Sequence, residues 1–187
     1  METTMNKTGE TTLQKTPVFD LVEKTFENVD FKPVGLNCKD WVMIIVKDEA
    51  DNALFVKQTR WGSESETLEF PCGTVEEGEE PVYAAMRELE EETGLTDYPA
   101  LEQLLQFNPN PAYFNNKMTV LYTQVPDLTK VRLGKQKLDK DEDCKPIIRN
   151  LDTGTMQELC QNGMMLNGLA ALTFKNLNTL FKAMNII

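Results

Sequence analysis

The chain has 187 residues, a formal net charge of −11, 41% hydrophobic and 26% charged residues, a composition typical of a soluble globular protein. The negative charge argues against nucleic acid or an anionic membrane surface as the main partner. No stretch reaches membrane-spanning length and the N-terminus lacks the apolar segment of a signal peptide, so we expect a cytoplasmic protein. The absence of histidine excludes Ser-His-Asp triads and His-based zinc sites, and leaves oxygen ligands for any metal.

The predicted elements begin with a polar, Thr-rich stretch over residues 1–16, which is typical of a disordered tail. The next segment, 17–30, is compatible with either a short helix or a pair of strands. Strands are predicted over 41–46, 53–58, 67–70, 100–107, 117–125 and 146–151. Helices are predicted from Pro81 to Gly94, over 153–163 with a threonine cap, and from about Leu166. This order favours a single α/β domain over 17–187 with a mixed sheet.

Glutamates crowd the stretch 73–95, in which Arg87 is the only basic residue. On a helical wheel Glu88, Glu91 and Glu92 share an arc of about 100°. The apolar stripe of the same helix is predicted to comprise Val82, Ala85, Met86 and Leu89. The three carboxylates occupy the C-terminal half of the helix, where dipole and mutual repulsion together cost on the order of 1–2 kcal/mol. Helix geometry alone leaves two interpretations, a solvated acidic face or a cation-binding site.

The spacing of particular residues within this stretch decides between those interpretations. The order is Gly73, five residues, Glu79, seven residues, Arg87-Glu88-Leu89, one residue, Glu91-Glu92, one residue, Gly94-Leu95. This order resembles the Nudix box at every specified position. The resemblance implies an α/β/α sandwich with a loop–helix–loop motif. It also implies an enzyme that uses Mg²⁺ or Mn²⁺, two or three ions, to hydrolyse a nucleoside diphosphate linked to another moiety.

The resemblance also implies roles for individual residues. Glu88, Glu91 and Glu92 match the metal-binding glutamates of the family, and the main-chain carbonyl of Cys72 matches a further ligand. The positions that match the structural residues of the motif are Gly73, Glu79, Arg87 and Gly94. Of these, Glu79 and Arg87 are implied to form the pair that holds the loop against the helix.

Three features outside the box resemble the ADP-ribose diphosphatase branch of the family, whose reaction yields AMP and ribose 5-phosphate. The first is the stretch 56–73, in which Gln58, Arg60, Glu69 and Pro71 match the branch. Arg60 and Glu69 are the candidate substrate-binding residues, although Arg60 can also be a plain surface arginine. The second is Pro111, 16 residues after Leu95, a position associated with ADP-ribose specificity. This resemblance implies a small nucleoside diphosphate as the substrate.

The third feature is the acidic loop 138–148, which resembles the loop that supplies the catalytic base in this branch. Glu142 is the best match, with Asp141 and Asp143 as neighbours, and Glu88 is the next candidate. The alternative interpretation of this loop is an ordinary solvated turn.

The resemblance further implies a homodimer in which the segment 17–35 contributes to dimerisation or covers the substrate. The aromatic residues that are candidates for stacking on the base are Phe19, Phe26, Phe31 and Trp41, although such side chains are more often core. Two rival functions stay open: hydrolysis of another nucleotide sugar or of an oxidised nucleoside triphosphate, and ligand binding by a regulator without catalysis.

Overall fold

The computed structural model describes residues 5–138, 140 and 142–183, with side chains up to residue 176. The chain divides into two compact units. The first comprises the chain up to Asp40 together with Phe107–Met118, and the second comprises Trp41–Gln106 and the chain from Thr119 onwards. The sequence predicted one domain over 17–187 and did not separate these units.

The first unit contains a three-stranded antiparallel sheet of β1 (Lys7–Lys15), β2 (Phe19–Phe26) and β3 (Val34–Cys38). Strand β1 pairs with β2 from Lys7 opposite Phe26 to Lys15 opposite Asp20. The prediction of a disordered tail is therefore wrong for these residues. Threonine is β-branched and favours extended backbone, and a partner strand follows directly, so a polar stretch can form a hairpin. The alternatives left open for 17–30 are decided in favour of a strand.

The other segment of the first unit, Phe107–Met118, lies along β3. The backbone N–H of Leu36 donates to the carbonyl of Tyr113 at 2.8 Å, and the N–H of Asn115 donates to the carbonyl of Leu36 at 3.2 Å. Pro111 lies in the turn that precedes these contacts, where Tyr113 N–H donates to the carbonyl of Asn110. The loop containing Pro111 is thus part of the first unit.

The second unit is built on a sheet whose strand order is β10-β5-β4-β9-β8, with β6 paired to β5 and β7 paired to β4. Its strands are β4 (Trp41–Lys47), β5 (Asn52–Arg60), β6 (Ser65–Glu69), β7 (Cys72–Thr74), β8 (Glu102–Phe107), β9 (Met118–Gln124) and β10 (Lys145–Asn150). All six predicted strands are confirmed. The sequence missed β7, because three residues beside a proline carry no periodic pattern.

Helix α1 (Pro81–Thr93) covers one face of this sheet and α3 (Met165–Ala183) covers the other, while α2 (Thr153–Cys160) packs against α3 and β6. Successive residues of a strand point to opposite faces. Ile44 belongs to the same buried cluster as Leu89 of α1. Its neighbour Met43 faces α3, where a Cβ on Gly168 would lie 2.7 Å from the Met43 sulfur. The predicted α/β sandwich with a mixed sheet is confirmed.

Helix α1 has the predicted bounds. Pro81 opens it, and Gly94 closes it in the left-handed conformation (φ 70°), with its N–H donating to the carbonyl of Glu90 at 2.8 Å. Met86 was assigned to the buried stripe, but 45% of it is exposed and Ala84 is buried instead. The buried face is rotated because the carboxylate side of the helix also faces the interior.

Two further observations concern the helices. The cap of α2 is Asp152, whose carboxylate accepts from the N–H of Thr155, so the predicted threonine cap is wrong by one residue. Among the described helices, none combines the length and the apolar character needed to cross a membrane.

Candidate active site

The loop before α1 comes unusually close to the helix. A Cβ built on Gly73 would lie 2.0 Å from the carboxyl carbon of Glu88. Any side chain at this position would therefore occupy the place of the Glu88 carboxylate. The glycine lets β7 pass directly against the acidic face of α1.

Arg87 ties the loop to the helix. Its Nε and Nη2 donate to the two carboxylate oxygens of Glu79 at 3.1 and 3.0 Å, and Nη2 also donates to the carbonyl of Thr74 at 2.9 Å. Its Nη1 donates to Glu88 at 2.8 Å and to Glu91 at 3.1 Å. The hydrogen bonds from Arg87 lower the pKa of the Glu79 carboxyl. The structure thus brings together the implied structural pair, Glu79 and Arg87. Arg87 also supplies a countercharge to Glu88 and Glu91, two members of the acidic cluster that they form with Glu92.

Glu92 is the most buried member of the cluster, with 4% of the residue exposed. Its Oε2 accepts a hydrogen bond from the backbone N–H of Cys72 at 3.0 Å. Burial raises the pKa of Glu92 to about 8, against the effect of that hydrogen bond, and the charge of Glu88 adds to the rise. Burial also raises the pKa of Glu88, although Arg87 opposes the shift. Two neighbouring carboxyls, one buried and one partly buried, therefore have less countercharge than full ionisation requires.

The donor set suits a hard divalent cation, because it consists of carboxylate oxygens beside the main chain of Cys72. The gathering of these groups around Gly73, with raised pKa values at two of them, is what a bound cation would relieve. Among the described residues, however, no three acidic or cysteine side chains are already arranged to hold a metal ion. Glu88 and Glu91 both bond to the same Arg87 nitrogen, which turns them towards the arginine.

Arg60 and Glu69 form a second group next to the cluster. Arg60 donates from Nε and Nη2 to the two oxygens of Glu69 at 2.9 and 2.6 Å. Its Nη2 also contacts the Cys72 sulfur at 3.5 Å. Burial alone would raise the pKa of Glu69, but the hydrogen bonds from Arg60 and Thr67 hold it below its ordinary value. Glu69 has no exposed surface, so it orients Arg60, whose side chain is 41% exposed.

The acidic loop lies beside the cluster. Glu142 is exposed, and its charge helps to raise the pKa of Glu88 and Glu92, which places its carboxylate within electrostatic reach of both. Asp143 has a different role, because its two oxygens accept from the N–H and the hydroxyl of Thr59 at 2.9 and 2.7 Å. Asp143 anchors the loop to the end of β5, whereas Asp141 lies outside the described residues.

Sequence reasoning missed Gln136. Its side-chain amide donates to the carbonyl of Glu92, at the end of α1, and to the carbonyl of Cys144 at 2.8 Å. On the same segment, the N–H of Lys137 donates to the carbonyl of Glu91, and its ammonium pairs with Glu90 at 2.6 Å. The only signal that could have found this loop is the general need of helix-end carbonyls for donors.

Several predicted residues lie outside this group. Pro111, Phe19, Phe26 and Phe31 belong to the first unit, and Trp41 is a half-buried residue of β4. The residues that the structure gathers are all in the second unit.

Comparison with known proteins now defines the class. The NUDIX domain family matches residues 39–148, so the chain belongs to the Nudix family. Nudix hydrolases generally use divalent metal ions, which agrees with the oxygen-only donor set of the cluster. The matched range contains β4 to β7, helix α1 and the acidic loop with Glu142.

Particular relatives share parts of the chain. It is 34% identical over 101 residues to an ADP-ribose pyrophosphatase of Bacillus subtilis (strain 168), covering 54% of this chain and 52% of that protein. It is 58% identical over 41 residues to an ADP-sugar pyrophosphatase of Mus musculus, covering 22% and 19%. The chain thus spans about half the length of the first relative and less of the second. A solved ADP compounds hydrolase matches 98% of this chain and 97% of its own, with a TM-score of 0.64 and 22% identity, which shows a shared fold.

Proposed function

We propose that this protein is a divalent-metal-dependent diphosphatase that hydrolyses ADP-ribose to AMP and ribose 5-phosphate. The observation that carries the proposal is the gathering of Glu88, which is partly buried, and Glu92, which is buried, against Gly73 and Cys72. Burial raises the pKa of both carboxyls, and the loop carboxylate of Glu142 adds to the rise. A diphosphate is an anion, and this acidic centre can receive it only through cations. The similarity to an ADP-ribose pyrophosphatase supports the choice of substrate.

Two or three Mg²⁺ or Mn²⁺ ions would be held by Glu88, Glu91 and Glu92 and by the main-chain carbonyl of Cys72. When bound, such ions neutralise the diphosphate and lower the pKa of an attacking water. Gly73 leaves room for the Glu88 carboxylate, and Arg87 keeps Glu91 near it. The chain thus supplies the oxygen ligands on one rigid helix and one short strand.

Glu142 accepts the proton of the attacking water at its carboxylate, while the water oxygen forms a bond to one phosphorus. The bond from that phosphorus to the bridging oxygen breaks, and the electron pair leaves with the other phosphate. Arg60 binds a phosphate oxygen through its half-exposed guanidinium, while Glu69 holds its Nε and Nη2. Glu69 therefore acts as a positioning residue, and Glu88 is the second candidate for the base.

A second candidate function is hydrolysis of another ADP-sugar. The 58% identity over 41 residues to an ADP-sugar pyrophosphatase favours it. The two candidates differ in the group attached to the second phosphate, and they share the cluster chemistry.

The proposed assembly is a homodimer formed through the first unit. Exposed apolar side chains in this unit support it, namely Val18 (72%), Phe31 (69%) and Val34 (47%). Light scattering after gel filtration measures the mass in solution. A mass equal to the 21.3 kDa chain at micromolar concentration would contradict the dimer.

The experiment that tests the activity is a turnover screen of the purified protein with Mg²⁺. The compounds are ADP-ribose, other ADP-sugars, dinucleotides and nucleoside triphosphates, and EDTA provides the metal-free control. We expect the highest kcat/KM for ADP-ribose, with AMP and ribose 5-phosphate as products. A higher kcat/KM for a triphosphate would overturn the proposed substrate, and equal turnover in EDTA would overturn the metal dependence.

A further inference from the structure

Trp61 is an aromatic residue that the core does not explain. It follows Arg60 directly in the turn between β5 and β6, and 81% of it is exposed, the largest exposed fraction among the large hydrophobic side chains in the described chain. An indole left in water forgoes a large apolar burial, of roughly 1.5–3 kcal/mol for a large side chain. Such an exposed ring on a turn beside an acidic centre is a candidate contact for a ligand.

Trp61 lines an open cleft of about 490 Å³ whose other lining residues are Thr59, Lys140, Glu142 and Asp143. This volume lies within the range of small-molecule sites. The cleft adjoins the acidic cluster through Arg60, which lies between the lining residues Thr59 and Trp61 in the chain and contacts the Cys72 sulfur at 3.5 Å. The N–H of Cys72 in turn donates to Glu92 at 3.0 Å. Its two sides are also tied together, since Asp143 accepts two hydrogen bonds from Thr59.

The chemistry of the cleft specifies its ligand. An indole face stacks on planar rings, and every nucleobase offers such a face. The ammonium of Lys140 provides a positive charge for a phosphate oxygen beside that ring. A ligand that carries an aromatic base next to phosphate satisfies both groups, whereas a sugar phosphate without a base satisfies only the lysine.

We infer that Trp61 is the surface on which the nucleobase of the substrate stacks, with Lys140 contacting the adjacent phosphate. The inference rests on the proposed function, in which the substrate is a nucleoside diphosphate compound. It assigns base binding to the turn after β5, and not to the aromatic residues of the first unit or to Trp41.

Fluorescence of two single-tryptophan proteins tests the stacking directly, because the chain contains only two tryptophans. Trp41→Phe leaves Trp61 as the reporter, and Trp61→Phe leaves Trp41. Each protein is titrated with AMP and with ribose 5-phosphate in the presence of Mg²⁺. We expect AMP to quench the Trp41→Phe protein and ribose 5-phosphate to leave its emission unchanged, with no response from the Trp61→Phe protein.

Each other result overturns the inference. Equal quenching by ribose 5-phosphate would show a site for the sugar phosphate, and quenching confined to the Trp61→Phe protein would place the base at Trp41. No response from either protein at saturating AMP, with binding verified by calorimetry, would place the base away from both rings. Absence of AMP binding by calorimetry would also contradict it.

Steady-state kinetics give a second measurement. Trp61→Ala should raise the KM for ADP-ribose about 5- to 150-fold, the equivalent of ~1–3 kcal/mol per stacked base, with a smaller change in kcat. Trp61→Phe should retain most of the affinity, and Phe174→Ala, which removes an exposed aromatic on α3, is the matched control. An unchanged KM in Trp61→Ala would refute the stacking on Trp61 and leave the proposed function standing. No turnover of any compound by the wild type would refute the proposed function. The fluorescence titration remains readable in that second case.

Discussion

Asp48 and Glu92 are two buried carboxyls of the same unit whose pKa values shift in opposite directions. Asp48 is 1% exposed and Glu92 is 4% exposed. Burial would raise the pKa of Asp48, but hydrogen bonds from Asn52, Leu128 and Ala50 hold it below its ordinary value. Burial raises the pKa of Glu92 to about 8, because one hydrogen bond from the backbone of Cys72 does not offset it.

The difference lies in how completely each carboxylate is hydrogen-bonded. The carboxylate of Asp48 accepts from the N–H groups of Ala50, Asn52 and Leu128 and from the Asn52 side chain, at 2.8–3.1 Å. It therefore closes the turn after β4 without an external partner. Glu92 lies at a similar depth next to other carboxyls, and the hydrogen bond from Cys72 and the charge of Arg60 do not offset its burial, so its ionised form is less compensated than that of Asp48.

The largest effect is expected from Glu92→Gln. The amide can still accept from Cys72 N–H, but it removes an anionic ligand, so Mg²⁺-dependent kcat/KM should fall by about 10³-fold or more. The folded state should persist, because the change removes a poorly compensated buried charge. The control is Glu90→Gln on the same helix, where the carboxylate pairs with Lys137 and turnover should not change. Retained turnover in Glu92→Gln would refute the metal assignment.

A smaller loss is expected from Glu142→Gln, which removes the proposed proton acceptor and leaves the cluster intact. We expect kcat to fall by about 10²-fold or more, with KM nearly unchanged. Glu66→Gln is the control, since this exposed carboxylate pairs with Lys57 on the sheet at 3.5 Å. An unchanged kcat would move the base elsewhere, with Glu88 as the next candidate.

The pH dependence of stability should distinguish the two buried acids. Because the pKa of Glu92 in the folded state is raised from 4.5 to about 8, its contribution to the free energy of unfolding is fully present below pH 4.5 and is lost as pH rises through about 8. The folded pKa of Asp48 is lowered, so its contribution is present above 3.8 and is lost as pH falls through the folded pKa. Urea unfolding in EDTA measures both.

The comparison uses the difference between wild type and variant at each pH. Between pH 5 and 8, the free energy of unfolding of Glu92→Gln should rise relative to that of wild type by on the order of a few kcal/mol. The free energy of unfolding of Asp48→Asn should be about 1–3 kcal/mol lower than that of wild type near neutral pH, and the difference should be smaller in acid. The reason is that the NH₂ group of asparagine is a donor and would face the N–H donors that the carboxylate accepts from. Parallel curves for Glu92→Gln and wild type would contradict the raised pKa.

Much of the fold and of the acidic helix could be predicted from the sequence, since both depend on local patterns. Hydrophobic runs predicted the strands of the second unit except β7, and Pro81 and Gly94 bounded α1. The spacing of glutamates along one helix predicted which of them share a face. Strand β1 was missed because its polar threonines pair with a partner strand and not with a core.

The parts that could not be predicted depend on contacts between distant segments. Glu69 matched a substrate-binding position, but only the fold shows that it is buried behind Arg60, with Asn162 of a later segment also donating to it at 3.0 Å. The distinction between Glu142 and Asp143 likewise depends on Thr59, which is 84 residues from Asp143 in the chain. The order of acidic residues along the loop does not show which of them bonds to Thr59.

The smallest effect is expected at Gln136, which connects the end of α1 to the acidic loop. Gln136→Leu removes the donors to the carbonyls of Glu92 and Cys144, so the position of Glu142 relative to the cluster should become less defined. Since each lost hydrogen bond is worth about 1 kcal/mol, kcat should fall roughly three- to tenfold while KM changes little. Gln103→Leu, an exposed position on β8, is the matched control. A merely structural role would lower the unfolding free energy with kcat per folded molecule unchanged, and that outcome would separate the stability of the loop from the placement of its carboxylate.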